Sequence, residues 1–515
     1  MADQERMNLI ITGHVDHGKS TGLGHLMFLL GHIHDPKKQR PPWRIAEKYF
    51  LDSKAAGMGS WSYAWILQGT PEERERGLTI NIAFQEFQTK QYTYNLIDAP
   101  GHADFVKNLI TGASQADAAV LVVSARKGEF EDGVKRTGTA SGKYANVIGM
   151  TIEHMLLLIS LGIHNIVVMV NKMDVEKWSQ ERYDSIKKQI HQMFGLLMSA
   201  LQVEKKDEIL DRIKYVPTSG LYGINMLPKD QTIANLENHI AAAESSKANE
   251  DFITSLKEET EEIKKQWPTW YDGPSLMEAL DSLPSPKERQ ASLAKQDLRV
   301  PIQSVLNISG VGTVLTGRIA SGVLKPNSDV LLAPTKQSLD PVPIQIKTIQ
   351  EFHKNLPEAA PGDNVGFNIK AKNLAPSDVL RGAVISAPKN PAKALRPNHD
   401  GFLGIVLVVR ALGKKKGKGK EDVWAVHVNY TPVVHCGTAQ VACRVMEMRD
   451  LAGKEIAELR QNDRGMVWFT PLQPIVVEPI ATSPTLGRFA LRDSGKTVAV
   501  GIIEKTEEGR YKKAE

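Results

Sequence analysis

Two cysteines in 515 residues, Cys436 and Cys443, leave no disulfide framework and no cysteine spacing for a metal, and they fit a reducing compartment. No apolar run is long enough to cross a bilayer, which argues against a membrane role. Met1 to Gln4 carry no basic and apolar leader, so secretory cleavage is not expected. The excess of basic over acidic residues is small, a formal +5, which permits a polyanionic partner without requiring one. What remains is the composition of a globular protein, 42% hydrophobic and 24% charged. The length suggests about three compact units.

From Met7 to about Leu280 the chain alternates apolar strands with helical patterns. Met7 to Thr12, Tyr94 to Ile97, Ala118 to Val123 and Ile166 to Val170 read as strands, and Ile152 to Leu161 reads as a helix. Such alternation predicts a parallel-dominated sheet with helices on both faces. From about Leu298 short β-branched runs are broken by Gly, Pro, Asn and Asp, as in Gly312 to Gly317, which reads as antiparallel barrel or sandwich. The stretch KNPAKALRP, Lys389 to Pro397, marks a second boundary. Three segments look like additions. Residues 232–266 have helical spacing in a Glu- and Lys-rich background and read as a solvated helical excursion. A second runs from Thr137 to about Met150. The third, Lys414 to Lys420, is a lysine-glycine loop that suits solvent or nucleic-acid phosphates equally.

The sharpest signal is GHVDHGKST, residues 13–21, between a strand and a helix. Gly13, Gly18, Lys19 and Ser20 match the phosphate-binding loop, in which glycines let successive N–H groups turn onto phosphate oxygens. Lys19 then reaches the β and γ phosphates, and Ser20 puts its hydroxyl on Mg²⁺. A phosphate loop does not name the base. Asn171-Lys172-Met173-Asp174, after its own strand, does so, because the Asp174 carboxylate can accept from the ring N–H and amine of guanine and finds no such donors on adenine. Ser219, Gly220 and Leu221 would close over the guanine oxygen. Asp98 and Thr79 are expected near the metal, and the Gly101 N–H near the γ-phosphate, so both segments sense its loss. His102 follows Gly101 and is placed to position the attacking water, with Val15 and Leu78 as an apolar gate.

GHVDHGKST, ERERGLTI, DAPGHADFVKN, NKMD and GRFALRDSGKTVAVGII together resemble the translation elongation factor 1-alpha family over nearly the whole chain. Gly128-Glu129-Phe130-Glu131 leans to its eukaryotic branch, and EAAPGDNVGFNIK from Glu358 to the tRNA carriers. The resemblance implies a multidomain α/β plus all-β fold: a P-loop GTPase domain over 1–290 with a helical insertion at 232–266, antiparallel β-barrels over 296–390 and 396–508, and a tail over 509–515. It implies GTP/GDP and Mg²⁺ as cofactors. It also implies delivery of aminoacyl-tRNA to the A site of the cytoplasmic ribosome, hydrolysis on codon matching, and an exchange factor that replaces GDP. By the same match Asp16, His17, Gly18, Lys19, Ser20 and Thr21 form the phosphate cradle, and Asn364 belongs to the pocket for the aminoacyl end. A monomer between partners is expected, and a cytoskeletal protein is a further partner. Gln350-Glu351-Phe352 stands where the family usually has Glu-Met-His, Leu78 stands for its isoleucine, and the three additions have no counterpart in its pattern.

Two other functions use similar parts. A related GTPase escorts a termination or ribosome-rescue factor, but such relatives commonly carry long N-terminal extensions, whereas the first strand here follows Met1 closely. A sulfate-activating GTPase subunit shares the architecture and would be stimulated by sulfate, not by ribosomes.

Overall fold

The computed structural model describes the chain except for residues 1–3, 34–39, 69, 77–78, 80–82, 103–104, 136–148, 352–353, 373, 411–414, 417–419, 422–425 and 512–515. Two compact units emerge, one built essentially of residues up to Ser285 and the other of Pro286 onward.

The first unit is a six-stranded sheet in the order β2-β3-β1-β4-β5-β6. Its strands are β1 Glu5–Gly13, β2 Ala83–Gln88, β3 Tyr92–Asp98, β4 Ala118–Ser124, β5 Asn165–Asn171 and β6 Lys214–Pro217. Only β2 runs antiparallel to its neighbour; the other pairs are parallel. Between and after the strands run α1 Lys19–Leu29, α2 Pro42–Ala55, α3 Ser62–Leu67, α4 Pro71–Arg76, α5 Val106–Ala113, α6 Glu129–Val134, α7 Met150–Ser160, α8 Gln180–Ala200, α9 Lys206–Arg212, α10 Lys229–Ser245, α11 Glu250–Gln266 and α12 Leu276–Asp281. Every residue of β4 is buried, as expected for a strand covered on both faces, and its sequence AAVLVVS is accordingly apolar without alternation.

The register lines up the motif-bearing ends. Ile11 pairs with Asp98, Gly13 with Val122, Ser124 with Asn171 and Val170 with Pro217. From β1 the chain lays β2 and β3 on one side and β4 to β6 on the other. The direction therefore reverses at β1, and open α/β sheets bind ligands outside the strand ends at such a point.

Residues 232–266 differ from a solvated excursion. They form most of a helical hairpin, α10 and α11, whose Leu236, Ile240, Ala243, Phe252, Leu256 and Ile263 are buried in the same core as the sheet. Each of the Leu, Ile and Phe side chains contributes roughly 1.5–3 kcal/mol on burial. The Glu and Lys residues that set the average polarity occupy the outer faces, while the apolar stripe at helical spacing decides the packing. Asn249 caps α11, its Oδ1 accepting from the N–H of Asp251 at 3.0 Å and of Phe252 at 3.2 Å.

In the second unit Arg299–Ile308, Gly312–Arg318, Asp329–Thr335, Val342–Glu351, Asn364–Lys370 and Val379–Ser386 close into one antiparallel barrel. Gly401–Val408, Val433–Cys436, Ala439–Arg449, Arg464–Pro471, Arg488–Asp493 and Lys496–Glu507 close into a second. Both barrels share this unit. Val384, Ala392, Val476 and Leu486 form a small apolar cluster between them, and the nearly buried Arg299 donates through Nε to Glu478 Oε1 at 2.6 Å. Cys436 and Cys443 are buried thiols outside any disulfide, and burial raises their pKa values. Of the other two additions, 137–150 lies outside the described residues except for Gly149 and Met150. The Lys414 to Lys420 loop is described only at Lys415, Lys416 and Lys420, in paired short strands.

Candidate functional site

A cleft of about 600 Å³ opens at the carboxyl edge of the sheet. Its floor is the loop from β1 to α1. Asp16 has φ 61° and Gly18 φ 84°, and a Cβ on Gly18 would stand 2.3 Å from Asn171 Nδ2. Only glycine lets this loop turn so tightly against β5. The Asn171 side chain holds two loops: Nδ2 donates to the His17 carbonyl at 2.9 Å, and Oδ1 accepts from the Gly220 N–H at 2.7 Å. Replacing Asn171 with Ala leaves both of those buried groups unmatched, at about 1–3 kcal/mol each. We expect at least a tenfold loss of GDP affinity by titration, together with a lowered melting temperature.

Lys19 is buried and donates to the His14 carbonyl at 2.8 Å. Burial lowers its pKa to about 8, against the pull of Asp98 and Asp16. Gly101 packs on it, since a Cβ there would meet Lys19 Nζ at 2.3 Å and the Gly13 carbonyl oxygen at 2.7 Å. Ser20 Oγ lies 3.2 Å from Thr79 Oγ1 and donates to Asp98 Oδ2 at 3.4 Å. Burial raises the Asp98 pKa to about 6, opposed first by Lys19, while its Oδ1 is buried with no hydrogen-bond partner among the described residues.

Beyond β5, Lys172 has φ 64° and sets Nζ 2.8 Å from Glu129 Oε2, which also accepts from Ser124 Oγ at 2.7 Å. Burial raises the Asp174 pKa, and a hydrogen bond from Ser219 opposes it. Gly220 and Leu221 line the cleft with Asp174.

Residues 4–286 match the elongation factor Tu GTP binding domain, 312–386 the elongation factor Tu domain 2, and 423–504 the GTP-eEF1A C-terminal domain-like family. Elongation factor 1-alpha of Ignicoccus hospitalis is 38% identical over 97% of this chain and 96% of its own. That of Entamoeba histolytica is 37% identical over 98% of this chain and 96% of its own. The chain belongs to the elongation factor 1-alpha family. It is a translation elongation GTPase that binds guanine nucleotide. The GTPase-like domain of S. cerevisiae Ski7, bound to GDP and inorganic phosphate, shares the fold at 17% identity, a TM-score of 0.68 and 97% coverage of both chains.

Against that family pattern most of the expected residues converge. Val15, Asp16, Gly18, Lys19, Ser20, Thr21, Thr79, Gly101, His102, Asn171, Lys172, Asp174, Gly220 and Leu221 all line one cleft. His17 is the one member of the expected phosphate cradle whose side chain does not line the cleft. Its ring is fully buried, with Nδ1 3.2 Å from the Val122 carbonyl oxygen and Nε2 3.3 Å from that of Glu129. Desolvation lowers its pKa to about 3, so the ring is neutral and only the backbone of His17 is available to an anion. Ser219 stands behind the lining and acts on Asp174. Leu78 and Phe352 lie outside the described residues. Asn364 is in the other unit, in register with Arg318, and Gln350 donates through Nε2 to Asn355 Oδ1 at 2.8 Å.

Elongation factor 1-alpha family motifs alone did not point to Ser60, Trp61, Ala64 and Gln68, which line the cleft from α3 and the residues flanking it. No spacing rule announces them. Glu129 was within reach, because Gly128 to Glu131 stood out in the sequence, but its partner Lys172 is 43 positions away.

Proposed function

We infer that this protein, loaded with GTP, carries aminoacyl-tRNA to the A site of the cytoplasmic ribosome and hydrolyses GTP when the codon matches. The observation that carries this reading is the convergence of the phosphate loop, Asp174 and the Ser20-Thr79-Asp98 trio in one cleft of a chain that also has both barrels. The N–H groups of Asp16 to Thr21 hold the phosphates at the N-terminus of α1, where the helix field favours anions. Lys19 adds charge to the β and γ oxygens. Asp174 accepts from guanine, with Ser219 orienting it and Gly220 and Leu221 closing the far edge. His102 orients the attacking water beside Val15 and Leu78.

The Ser20, Thr79 and Asp98 oxygens suit Mg²⁺, a hard cation, and the unmatched Asp98 Oδ1 is what such an ion would satisfy. Bound there, Mg²⁺ would neutralise charge developing on the β and γ phosphates. Thr79 and Gly101 lose their reason to face the cleft once the γ-phosphate leaves, which is how such segments pass nucleotide state to cargo. An exchange factor then replaces GDP, the aminoacyl end lies near Asn364, and the basic loop at Lys414 to Lys420 meets RNA or a cytoskeletal protein. No helix among the described residues is long and apolar enough to cross a membrane, and we assign the protein to the cytoplasm as a monomer.

Filter binding of charged and uncharged tRNA in GTP and in GDP tests the proposal. Charged tRNA should be retained in GTP and released in GDP. Equal retention of charged and uncharged tRNA, or indifference to nucleotide, overturns the carrier role and favours the escort of another factor.

A further inference from the structure

The α10–α11 hairpin has no part in the chemistry above, yet it grips the helix that follows the phosphate loop. From α10, Asn235 Nδ2 donates to the Leu29 carbonyl at 2.9 Å, and His239 Nε2 lies 2.9 Å from the Phe28 carbonyl oxygen. The Leu29 carbonyl at the end of α1 is thus met from the hairpin, and the Phe28 carbonyl, which already accepts from the Gly31 N–H at 2.9 Å, gains a second contact there. The His239 ring stacks on Phe28 with centroids 4.4 Å apart.

From α11 the contact runs further. Tyr63 Oη donates to Glu259 Oε2 at 2.9 Å, and Glu259 Oε1 lies 2.9 Å from His25 Nε2. His25, on α1, is fully buried and stacks on Tyr63 at 3.9 Å with 12° between ring planes. Its Nδ1 sits 3.0 Å from the Gly220 carbonyl oxygen. A carbonyl can only accept, so Nδ1 donates to it, and Glu259 holds the ring as an ion pair when Nε2, which faces an acceptor-only carboxylate, carries a proton as well. Gly220 is therefore fixed twice, its N–H by Asn171 and its carbonyl by His25.

We propose that Glu259 and His25 are positioning residues for the base: by fixing the imidazole, the hairpin holds the Ser219 to Leu221 loop closed and slows nucleotide release. The inference rests on the reading that this loop covers the guanine oxygen. An imidazole released from Glu259 can tilt away from the Gly220 carbonyl, and among the described residues Gly220 is then held by Asn171 alone, although Ser219 stays paired with Ile224. The effect acts through the loop alone, since the phosphate contacts belong to other residues.

The test uses the full chain and fluorescent GDP in stopped flow. Glu259→Gln keeps the shape and removes the charge, and Tyr63→Phe removes one hydroxyl. We expect GDP dissociation to rise about tenfold in Glu259→Gln and about threefold in Tyr63→Phe, with association changed by less than about twofold. A readout that a general loss of packing would not give is the diphosphate of 2-aminopurine riboside, which lacks the 6-oxo group. Its affinity should fall by less than about twofold, so the preference for GDP over this analogue narrows. Unchanged GDP dissociation in both variants, or an equal loss for the two nucleotides, overturns the proposal. Asp174→Asn separates the two levels. If it weakens GDP while Glu259→Gln does not, only the hairpin inference falls; if it too leaves GDP binding intact, the guanine reading beneath falls first.

Discussion

Asp174→Asn is expected to convert a cleft that selects GTP into one that prefers XTP. Guanine offers a ring N–H and an amine to the carboxylate, two donors to an acceptor-only group. An asparagine keeps one oxygen acceptor and places an amide donor opposite guanine's amine, so donor meets donor, whereas it suits the carbonyl that xanthine carries there. A polar site partly shielded from water makes that mismatch expensive, and losing such a match discriminates by as much as 10⁴. Burial already raises the Asp174 pKa, with Ser219 donating to the carboxylate, so the group is held in a fixed and partly dry setting. Ser219 can serve the amide equally well, because its hydroxyl both donates and accepts, and stability should change by less than about 1 kcal/mol. Parallel titrations with GTP and XTP check the result. We expect a loss of about three orders of magnitude for GTP and a gain for XTP. An unchanged order of preference removes Asp174 from base recognition.

The parts of this site that the sequence exposes are those in which backbone geometry dictates residue type. Gly18 must be glycine because its φ is 84° and Asn171 Nδ2 leaves no room for a Cβ, and such demands recur at fixed spacing. Strand ends could be read for a similar reason: the apolar runs Ala118 to Val123 of β4 and Ile166 to Val170 of β5 each give way to a polar residue, Ser124 and Asn171, at the strand's carboxyl end. Side-chain direction is another matter. Position in the motif puts His17 in the phosphate cradle, whereas the direction of its ring is decided by the Val122 and Glu129 carbonyls, remote in sequence. Trp61 and Gln68 reach the cleft only because α2 and α3 fold back across α1, a tertiary fact with no local signature. The hairpin's mean polarity points to solvent, although Leu236, Ile240, Phe252, Leu256 and Ile263 carry the spacing of a buried face. The strand pattern leaves barrel or sandwich open and only the family resemblance implies two barrels, while the Arg299 to Glu478 pair that joins them has no signature at all.

His102→Ala should separate binding from hydrolysis. His102 lines the cleft next to Gly101, and its ring lies 5.9 Å from that of Phe105. The residues that grip the nucleotide are elsewhere: Lys19 in the phosphate loop, Ser20 and Asp98 around the metal position, Asp174 at the base. Removing the imidazole therefore subtracts nothing from ground-state affinity, and GTP and GDP should bind within about threefold of the parent protein. Phosphoryl transfer to water depends on where the water is held and on charge developing at the γ-phosphate, so losing the group that orients the water falls on the chemical step. We expect ribosome-stimulated single-turnover hydrolysis to slow by about three orders of magnitude, with unstimulated turnover changed far less. The difference between these two rates carries the argument, because an imidazole that acts only once a partner has docked contributes little beforehand. Equal slowing of both rates would place His102 in the resting site, and an unaltered stimulated rate would exclude it from hydrolysis altogether.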